Sequence, residues 1–221
     1  MRKKKITLAI ETAVGGGSLS LLEDISVIDC WVGEREVSRS EELFEAVSAI
    51  LTRNQIKSGD LDMLAVSRGP GSYTGARIGL ATAIGLKNGL DIKCFGVSVL
   101  DSFYYKFGNQ NLDFITAVSF GKKEVCYQLF KKLYSKNENE EISPEIITFE
   151  KFVKYFNRNL DKTFVLNQKL YVEAKEYLSD DYSKNKINAG VVLSDLIGQF
   201  VVNDNGSDNL SPIYSHSNGQ I

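Results

Sequence analysis

Three predicted strands open the chain, and only short turns separate them. Residues 5–12, 18–22 and 26–32 are apolar or β-branched over most of their length, and glycines 15–17 lie between the first two. Such short connections suit antiparallel neighbours, because a parallel pair needs a crossover of about a dozen residues or more. We therefore predict an antiparallel meander, which excludes the strand–helix–strand opening of a Rossmann domain.

Helical periodicity follows the third strand. Ser38 and Glu41 have the spacing of a capping box, so we predict a helix over residues 38–53. Its apolar residues recur with the helical period: Leu43, Phe44, Val47, Ile50, Leu51. The remaining elements of this half are a strand (63–67), a helix (75–88), a strand (93–97) and the start of a helix near Leu100. The order βββαβαβ predicts an α/β lobe over residues 1–101.

The second half has a less regular pattern. The predicted strands are 114–119, 125–131 and 163–166, and the predicted helices are 149–157, 170–178 and 189–201. The polar stretches 134–141 and 203–209 are expected to be loops, the second before a short tail at 212–214. We assign residues 102–221 to a reduced, divergent second lobe whose tail can return to the first lobe.

Composition narrows the range of functions. The chain has 221 residues, 43% of them apolar, and its 26 basic and 28 acidic residues give a net charge of −2. This charge gives no general attraction for nucleic acid. The three cysteines are widely spaced, which favours a reducing compartment over a disulfide framework. No apolar run approaches the roughly 18 residues of a membrane span, so we expect a cytoplasmic protein.

The glycine-rich segment 68–79 follows a predicted strand and leads into a helix. Backbone N–H groups at such a helix start can bind phosphate, although the segment matches neither common phosphate-loop pattern and has no lysine. Gly75, Gly79 and Ala83 form a stripe of small residues that lets another backbone approach closely. We therefore favour a packing role, in which the stripe makes room for a partner's helix, over a catalytic one.

Several segments together resemble the TsaB (YeaZ) family. They are IETAVGGGSLSLLED, SEELFEAVSAIL, AVSRGPGSYTGARIGLATAIGLKNGL and FGVSVLDSF, and the family hallmark is a GPGSFTGLRIG-type segment. The resemblance covers residues 6–103 well, whereas EVCYQLF and PIY are weaker, correctly ordered matches farther on. It implies an actin-like ASKHA (ribonuclease H-like) α/β fold of two lobes, with mixed sheets flanked by helices.

The resemblance also implies a function and partners. TsaB-like proteins pair with the catalytic TsaD, usually together with the ATPase TsaE, to make threonylcarbamoyladenosine in tRNA, and form homodimers when TsaD is absent. A separate enzyme supplies threonylcarbamoyl-adenylate. We expect a non-catalytic subunit that meets tRNA only through the complex and has no membrane contact. ATP or ADP is expected only at the level of the complex, with no cofactor in the isolated chain.

Departures from the family pattern bear on the chemistry. The single histidine, His216, excludes a histidine metal site, so we expect neither catalytic nor metal-binding residues. Glu11 and Ser119 stand where the family usually has Asp, and Arg39 stands where it often has His. The alternative function is a stand-alone actin-like ATPase or small-molecule kinase, whose nucleotide would be held at Glu11, Gly69, Gly71 and Ser72. A stand-alone homodimer with another role is a third hypothesis.

In this family the contact with TsaD is made by the first two helices of the N-terminal lobe. By that resemblance the partner-binding residues here are Leu43, Phe44, Val47, Leu51, Gly75, Arg77, Ile78, Gly79, Ala83 and Ile84. The first helix has two adjacent apolar columns, and a helix on one face of a sheet needs only one of them. Leu43 and Val47 can serve the core while Phe44 and Leu51 serve a partner, or the reverse. That all of them belong to the core remains an alternative.

Overall fold

The computed structural model describes residues 4–33, 40–108, 113–131, 143–159, 161–177 and 186–213. The chain divides into two compact units, which we call unit 1 and unit 2. Of the described residues, unit 1 contains those up to Ser102 and those of 191–213, and unit 2 contains those of 103–190. None of the described helices has the length and apolar composition that crossing a membrane requires.

Unit 1 contains a five-stranded sheet with helices on its faces. Its first elements, in chain order, are β1 (Ile6–Glu11), β2 (Ser18–Glu23), β3 (Ser26–Val32), α1 (Ser40–Arg53), β4 (Met63–Ser67), α2 (Tyr73–Leu90) and β5 (Lys93–Val97). The strand order is β3-β2-β1-β4-β5, with β1, β2 and β3 antiparallel and β1, β4 and β5 parallel. The predicted meander and the βββαβαβ order are therefore confirmed.

Unit 2 repeats this topology. After α3 (Val99–Phe107), which crosses the boundary between the units, its elements are β6 (Phe114–Phe120), β7 (Glu124–Phe130), β8 (Glu145–Thr148), α4 (Phe149–Arg158), β9 (Thr163–Asn167), α5 (Gln168–Ala174), a 3₁₀ turn (Lys175–Tyr177) and β10 (Lys186–Ala189). The sheet order is β8-β7-β6-β9-β10, with β6 in the place of β1 and β9 in the place of β4. The short strands β8 and β10 were not predicted.

The last helix, α6 (Leu193–Val202), belongs to unit 1. It packs against β1, β2 and β4 and buries Leu196, Ile197 and Val201. Gly198 permits this approach, since a Cβ there would collide with the side chain of Leu22. The boundary after Ser102 lies one residue from the predicted division at residue 101. The place of α6 is different, because its apolar face covers the sheet of unit 1 and not that of unit 2.

The chain after α6 stays with unit 1. The Ile213 N–H donates to the carbonyl of Arg68 at 2.8 Å, and Arg68 Nε donates to the carbonyl of Ser211 at 2.7 Å. Gly96 exchanges two backbone hydrogen bonds with Ser207. The C-terminal segment is thus held beside the end of β4, next to the glycine-rich segment.

Each unit has its own apolar core. In unit 1, α1 and α2 cover one face of the sheet, where Leu43 and Leu80 meet Ile10 and Val66. In unit 2, Phe156 of α4 stacks on Phe164 with ring centroids 4.1 Å apart, and α5 adds Leu170 to the same cluster. The helices α4 and α5 therefore lie on one face of the second sheet, as α1 and α2 do on the first.

Candidate functional site

Glu11 ends β1 in a buried position, with only 1% of its surface exposed. Its Oε1 accepts hydrogen bonds from the backbone N–H groups of Ala13 at 2.6 Å and Val14 at 2.9 Å. Burial raises the pKa of this carboxyl from 4.5 to about 8, against the opposing effect of those amides. Oε2 has no hydrogen-bond partner in the described part of the chain. The protonated form of Glu11 is therefore favoured near neutral pH.

Among the residues with described positions, no group of three or more His, Cys, Asp or Glu side chains could hold a metal ion. The four residues of the nucleotide alternative also occupy a crowded place. Glu11 faces into its own turn, and Gly69 and Gly71 are both buried.

The glycine-rich turn packs on the residues that follow β1. Ser72 N–H donates to the carbonyl of Ala13 at 2.6 Å, and Thr12 Oγ1 donates to the carbonyl of Gly75 at 2.7 Å. A Cβ added at Gly71 would collide with the carbonyl oxygen of Ala13, and one at Gly75 with that of Thr12. The turn therefore packs within unit 1.

The same geometry corrects the predicted role of the small-residue stripe. Gly75, Gly79 and Ala83 are buried, and a Cβ at Gly79 would collide with Thr12 Oγ1. The nearest atoms to Gly75 and Gly79 belong to Thr12, directly after β1, so these glycines make room within unit 1. Helix α2 begins at Tyr73, two residues earlier than predicted, because Ser72 caps it by accepting from Gly75 N–H at 3.2 Å.

The remaining predicted partner-binding residues separate into core and surface. Leu43, Val47 and Leu51 lie in the core, with Leu51 only 7% exposed, which agrees with the alternative that these residues serve the core. Ile78 is partly buried against the same core. Phe44, in contrast, lies at the surface, with 64% of the residue exposed.

We use the name helix face for four exposed residues of α1 and α2: Phe44, Tyr73, Arg77 and Ile84. The Arg77 guanidinium lies 3.8 Å from the centroid of the Tyr73 ring, within the range of a cation–π contact. Tyr73 was missed in the sequence, although an aromatic residue four positions before an arginine on a helix indicates such a pair. The helix face therefore offers two aromatic rings, a cation and an aliphatic side chain.

Ser119 lies at the end of β6 in unit 2. Its backbone N–H donates to Asn167 Oδ1 at 3.1 Å, so it adjoins the end of β9. Its hydroxyl is buried and has no hydrogen-bond partner within the described ranges. Ser38, Arg39, His216 and the predicted loop 134–141 lie outside the described residues.

Comparisons with known proteins agree on one family. The family model described as "TsaD: tRNA N6-adenosine threonylcarbamoyltransferase" matches residues 35–183. The chain is 36% identical over 93 residues to the tRNA threonylcarbamoyladenosine biosynthesis protein TsaB of Escherichia coli (strain K12), a match covering 42% of this chain and 40% of that protein. It is 35% identical over 95 residues to the protein of the same name from Bacillus subtilis (strain 168), covering 43% and 42%. The matches thus span about two-fifths of these relatives.

Among solved structures, YeaZ from Pseudomonas aeruginosa resembles this chain with a TM-score of 0.63 at 18% identity. The superposition covers 96% of this chain and 100% of that one. At this identity the likeness establishes the fold alone. The predicted actin-like α/β fold, with two sheets flanked by helices, is therefore confirmed.

Proposed function

This chain belongs to the TsaD family, within which its curated relatives are TsaB proteins, and from that membership we propose that it is a non-catalytic subunit in tRNA threonylcarbamoyladenosine synthesis. One observation carries the proposal. At the place where the nucleotide alternative needs an accessible carboxylate and an open turn, Glu11 is buried in its own turn, and Gly71 and Gly75 pack on the carbonyl groups of Ala13 and Thr12. The helix face on α1 and α2 is exposed and is a suitable surface for binding another protein.

The helix face is our candidate for that binding surface. Aromatic and arginine side chains supply much of the energy of protein interfaces, and Phe44, Tyr73 and Arg77 are of these types. We propose that this face binds TsaD as a heterodimer and a second copy of the chain when TsaD is absent. TsaE joins in the complex, and tRNA is met only there.

The same reasoning bears on cofactors and catalysis. We propose that the glycine-rich turn of unit 1 holds no nucleotide, so that the isolated chain does not hydrolyse ATP there. The alternative of an actin-like ATPase or kinase requires hydrolysis or transfer that Glu11→Ala abolishes. Incubation of the isolated protein with ATP and magnesium distinguishes the two.

The interface is tested by Phe44→Asp in the full chain. We expect loss of co-elution with TsaD in size-exclusion chromatography, because a charge would replace an exposed anchor without touching the core. Ile25→Asp is the matched control, since Ile25 is 51% exposed in the same unit but lies outside the helices. Undiminished co-elution of a folded Phe44→Asp protein would contradict the assignment of this face.

The biological role is tested by depletion of the protein followed by nucleoside analysis of total tRNA. We expect threonylcarbamoyladenosine to fall. A normal level of this nucleoside after depletion would refute the proposed function, and rescue by wild type but not by Phe44→Asp would connect that function to the helix face.

A further inference from the structure

The segment that follows α6 runs along the start of the glycine-rich turn. We use the name strap for its residues 207–213, all of which belong to unit 1. At one end, Ser207 exchanges two backbone hydrogen bonds with Gly96 of β5, with N–O distances of 2.7 and 3.2 Å. At the other end, the Ile213 N–H donates to the carbonyl of Arg68 at 2.8 Å. The strap therefore joins β5 to the first residue of the glycine-rich segment.

Arg68 is the centre of this attachment. Its Nε donates to the carbonyl of Ser211 at 2.7 Å, and its own N–H donates to the carbonyl of Val97 at 2.8 Å. Gly96 leaves room for both the arginine and the strap, since a Cβ there would lie 2.3 Å from the carbonyl oxygen of Asn209 and 2.5 Å from Cδ of Arg68. The strap, Arg68 and β5 are therefore in close contact.

The strap is attached mainly through its backbone. Ser207, Asn209 and Ser211 are exposed, and Leu210 is only partly buried against the core of unit 1. Segments with few buried apolar contacts and exposed hydrogen bonds open at a lower free energy than the core does. The strap can therefore detach while the sheet of unit 1 stays folded.

The turn after Arg68 has backbone contacts on two sides. On one side lies the strap, because a Cβ at Gly69 would be 3.6 Å from the carbonyl oxygen of Ile213. On the other side, Ser72 N–H donates to the carbonyl of Ala13 at 2.6 Å. Glycine has no side chain with which to anchor a turn. When the strap detaches, the turn keeps its contacts on one side only.

The turn leads directly into the helix face. Ser72 caps α2, and Tyr73 is the first residue of that helix. The Arg77 guanidinium lies over the Tyr73 ring, one helical turn farther on. Two of the four residues of the helix face thus lie in the part of α2 whose position depends on the turn.

We propose that the strap is a conformational device that fixes the first turn of α2, and that its docking is coupled to the binding of a partner protein at the helix face. The inference rests on the proposed function, because it takes TsaD as the partner of that face. Coupling of this kind is reciprocal. Detachment of the strap weakens partner binding, and a bound partner holds the strap in place by the same factor.

Hydrogen exchange of the full-length protein, followed by mass spectrometry, tests the first half of the proposal. Arg68→Met keeps an apolar stem but removes the donor to Ser211. Exchange of residues 69–76 should become about tenfold faster relative to β1 and β2, because a hydrogen bond from a charged group is lost. Arg53→Met is the matched control: Arg53 also donates to a backbone carbonyl, that of Cys30 at 3.0 Å, but on β3. It should leave the exchange of residues 69–76 unchanged.

Gly96→Ala is a second, independent variant. Its Cβ would collide with the carbonyl oxygen of Asn209, so it displaces the strap without altering any side chain of the helix face. Both Gly96→Ala and Arg68→Met should raise the dissociation constant for TsaD about fivefold or more, which is the lower end of typical coupling between sites.

The reciprocal measurement adds saturating TsaD to the wild-type protein. Exchange of residues 207–213 should become slower, although the strap is not part of the helix face. Unchanged exchange of residues 69–76 in both variants would overturn the proposal. So would faster exchange with undiminished affinity for TsaD, or TsaD binding that leaves exchange of the strap as it was.

Failure of the proposed function has a different signature. If wild-type protein does not bind TsaD at all, the proposed function and the coupling are refuted together. If TsaD binds normally and the strap variants change neither the exchange of residues 69–76 nor the affinity, the coupling alone is refuted.

Discussion

The two units share one strand order but differ where their central parallel strands end. In unit 1, β1 and β4 end at the glycine-rich turn, and Gly71 and Gly75 let that turn pack directly on Thr12 and Ala13. In unit 2, β6 and β9 end beside an open groove, because α5 follows β9 immediately and no glycine-rich turn intervenes. Sheet topology therefore does not decide whether this position is open. The segment that follows the fourth strand of each unit, β4 or β9, decides it.

The titratable side chains near these strand ends also differ between the two units in their burial. Glu11 of unit 1 is buried in its own turn, and burial raises its pKa to about 8, which favours the uncharged form near neutral pH. The four lysines that line the groove of unit 2, Lys122, Lys123, Lys154 and Lys169, are all exposed. The comparison indicates that packing closes this position in unit 1 and leaves it open in unit 2.

The largest expected effect concerns Glu11 and the pH dependence of the free energy of unfolding. Because folding raises the pKa of Glu11 from 4.5 to about 8, the folded state holds the proton more tightly than the unfolded state. The stabilisation is complete below pH 4.5 and is lost as the pH rises through 8, by about 5 kcal/mol in total.

Glu11→Gln keeps the acceptor for Ala13 and Val14 but cannot ionise. Denaturant titrations from acid to mildly alkaline pH should show a flatter profile for this variant than for wild type. Parallel pH profiles of the two proteins would show that Glu11 is not a buried neutral acid.

A second test adds a methyl group to the closed turn. Gly75→Ala should lower the free energy of unfolding by about 1–3 kcal/mol, because its Cβ would collide with the carbonyl oxygen of Thr12. Gly85→Ala in the same helix is the control: a Cβ there meets nothing within 4 Å. It should stabilise by about 0.5–1 kcal/mol through helix propensity. Equal effects of both changes in urea denaturation would disprove the close packing of α2 on β1.

The smallest expected effect is in unit 2. Asn167→Ala removes the acceptor for Ser119 N–H and should lower the free energy of unfolding by about 1 kcal/mol. Thermal denaturation followed by circular dichroism measures it. A loss as large as that of Gly75→Ala would mean that the end of β9 is packed as tightly as the turn of unit 1, contrary to the comparison.

The sequence was most informative where a local rule applies. Short turns predicted the meander, and the periodicity of α1 predicted a helix with one buried side. It could not decide which apolar column is buried, because Phe44 and Leu51 fit the helical pattern equally well. The strands β8 and β10 were missed, since four residues carry too little periodic signal.

By itself, the sequence determined the α/β fold and the family, because strand order and the glycine-rich segment are local patterns that few folds share. Only the tertiary structure decided that Gly75 and Gly79 face Thr12 of the same chain, and that α6 returns to unit 1. It also decided that the lysines of three separate segments line one groove. These are contacts between residues far apart in the chain, and they depend on how the sheet brings the ends of its strands together.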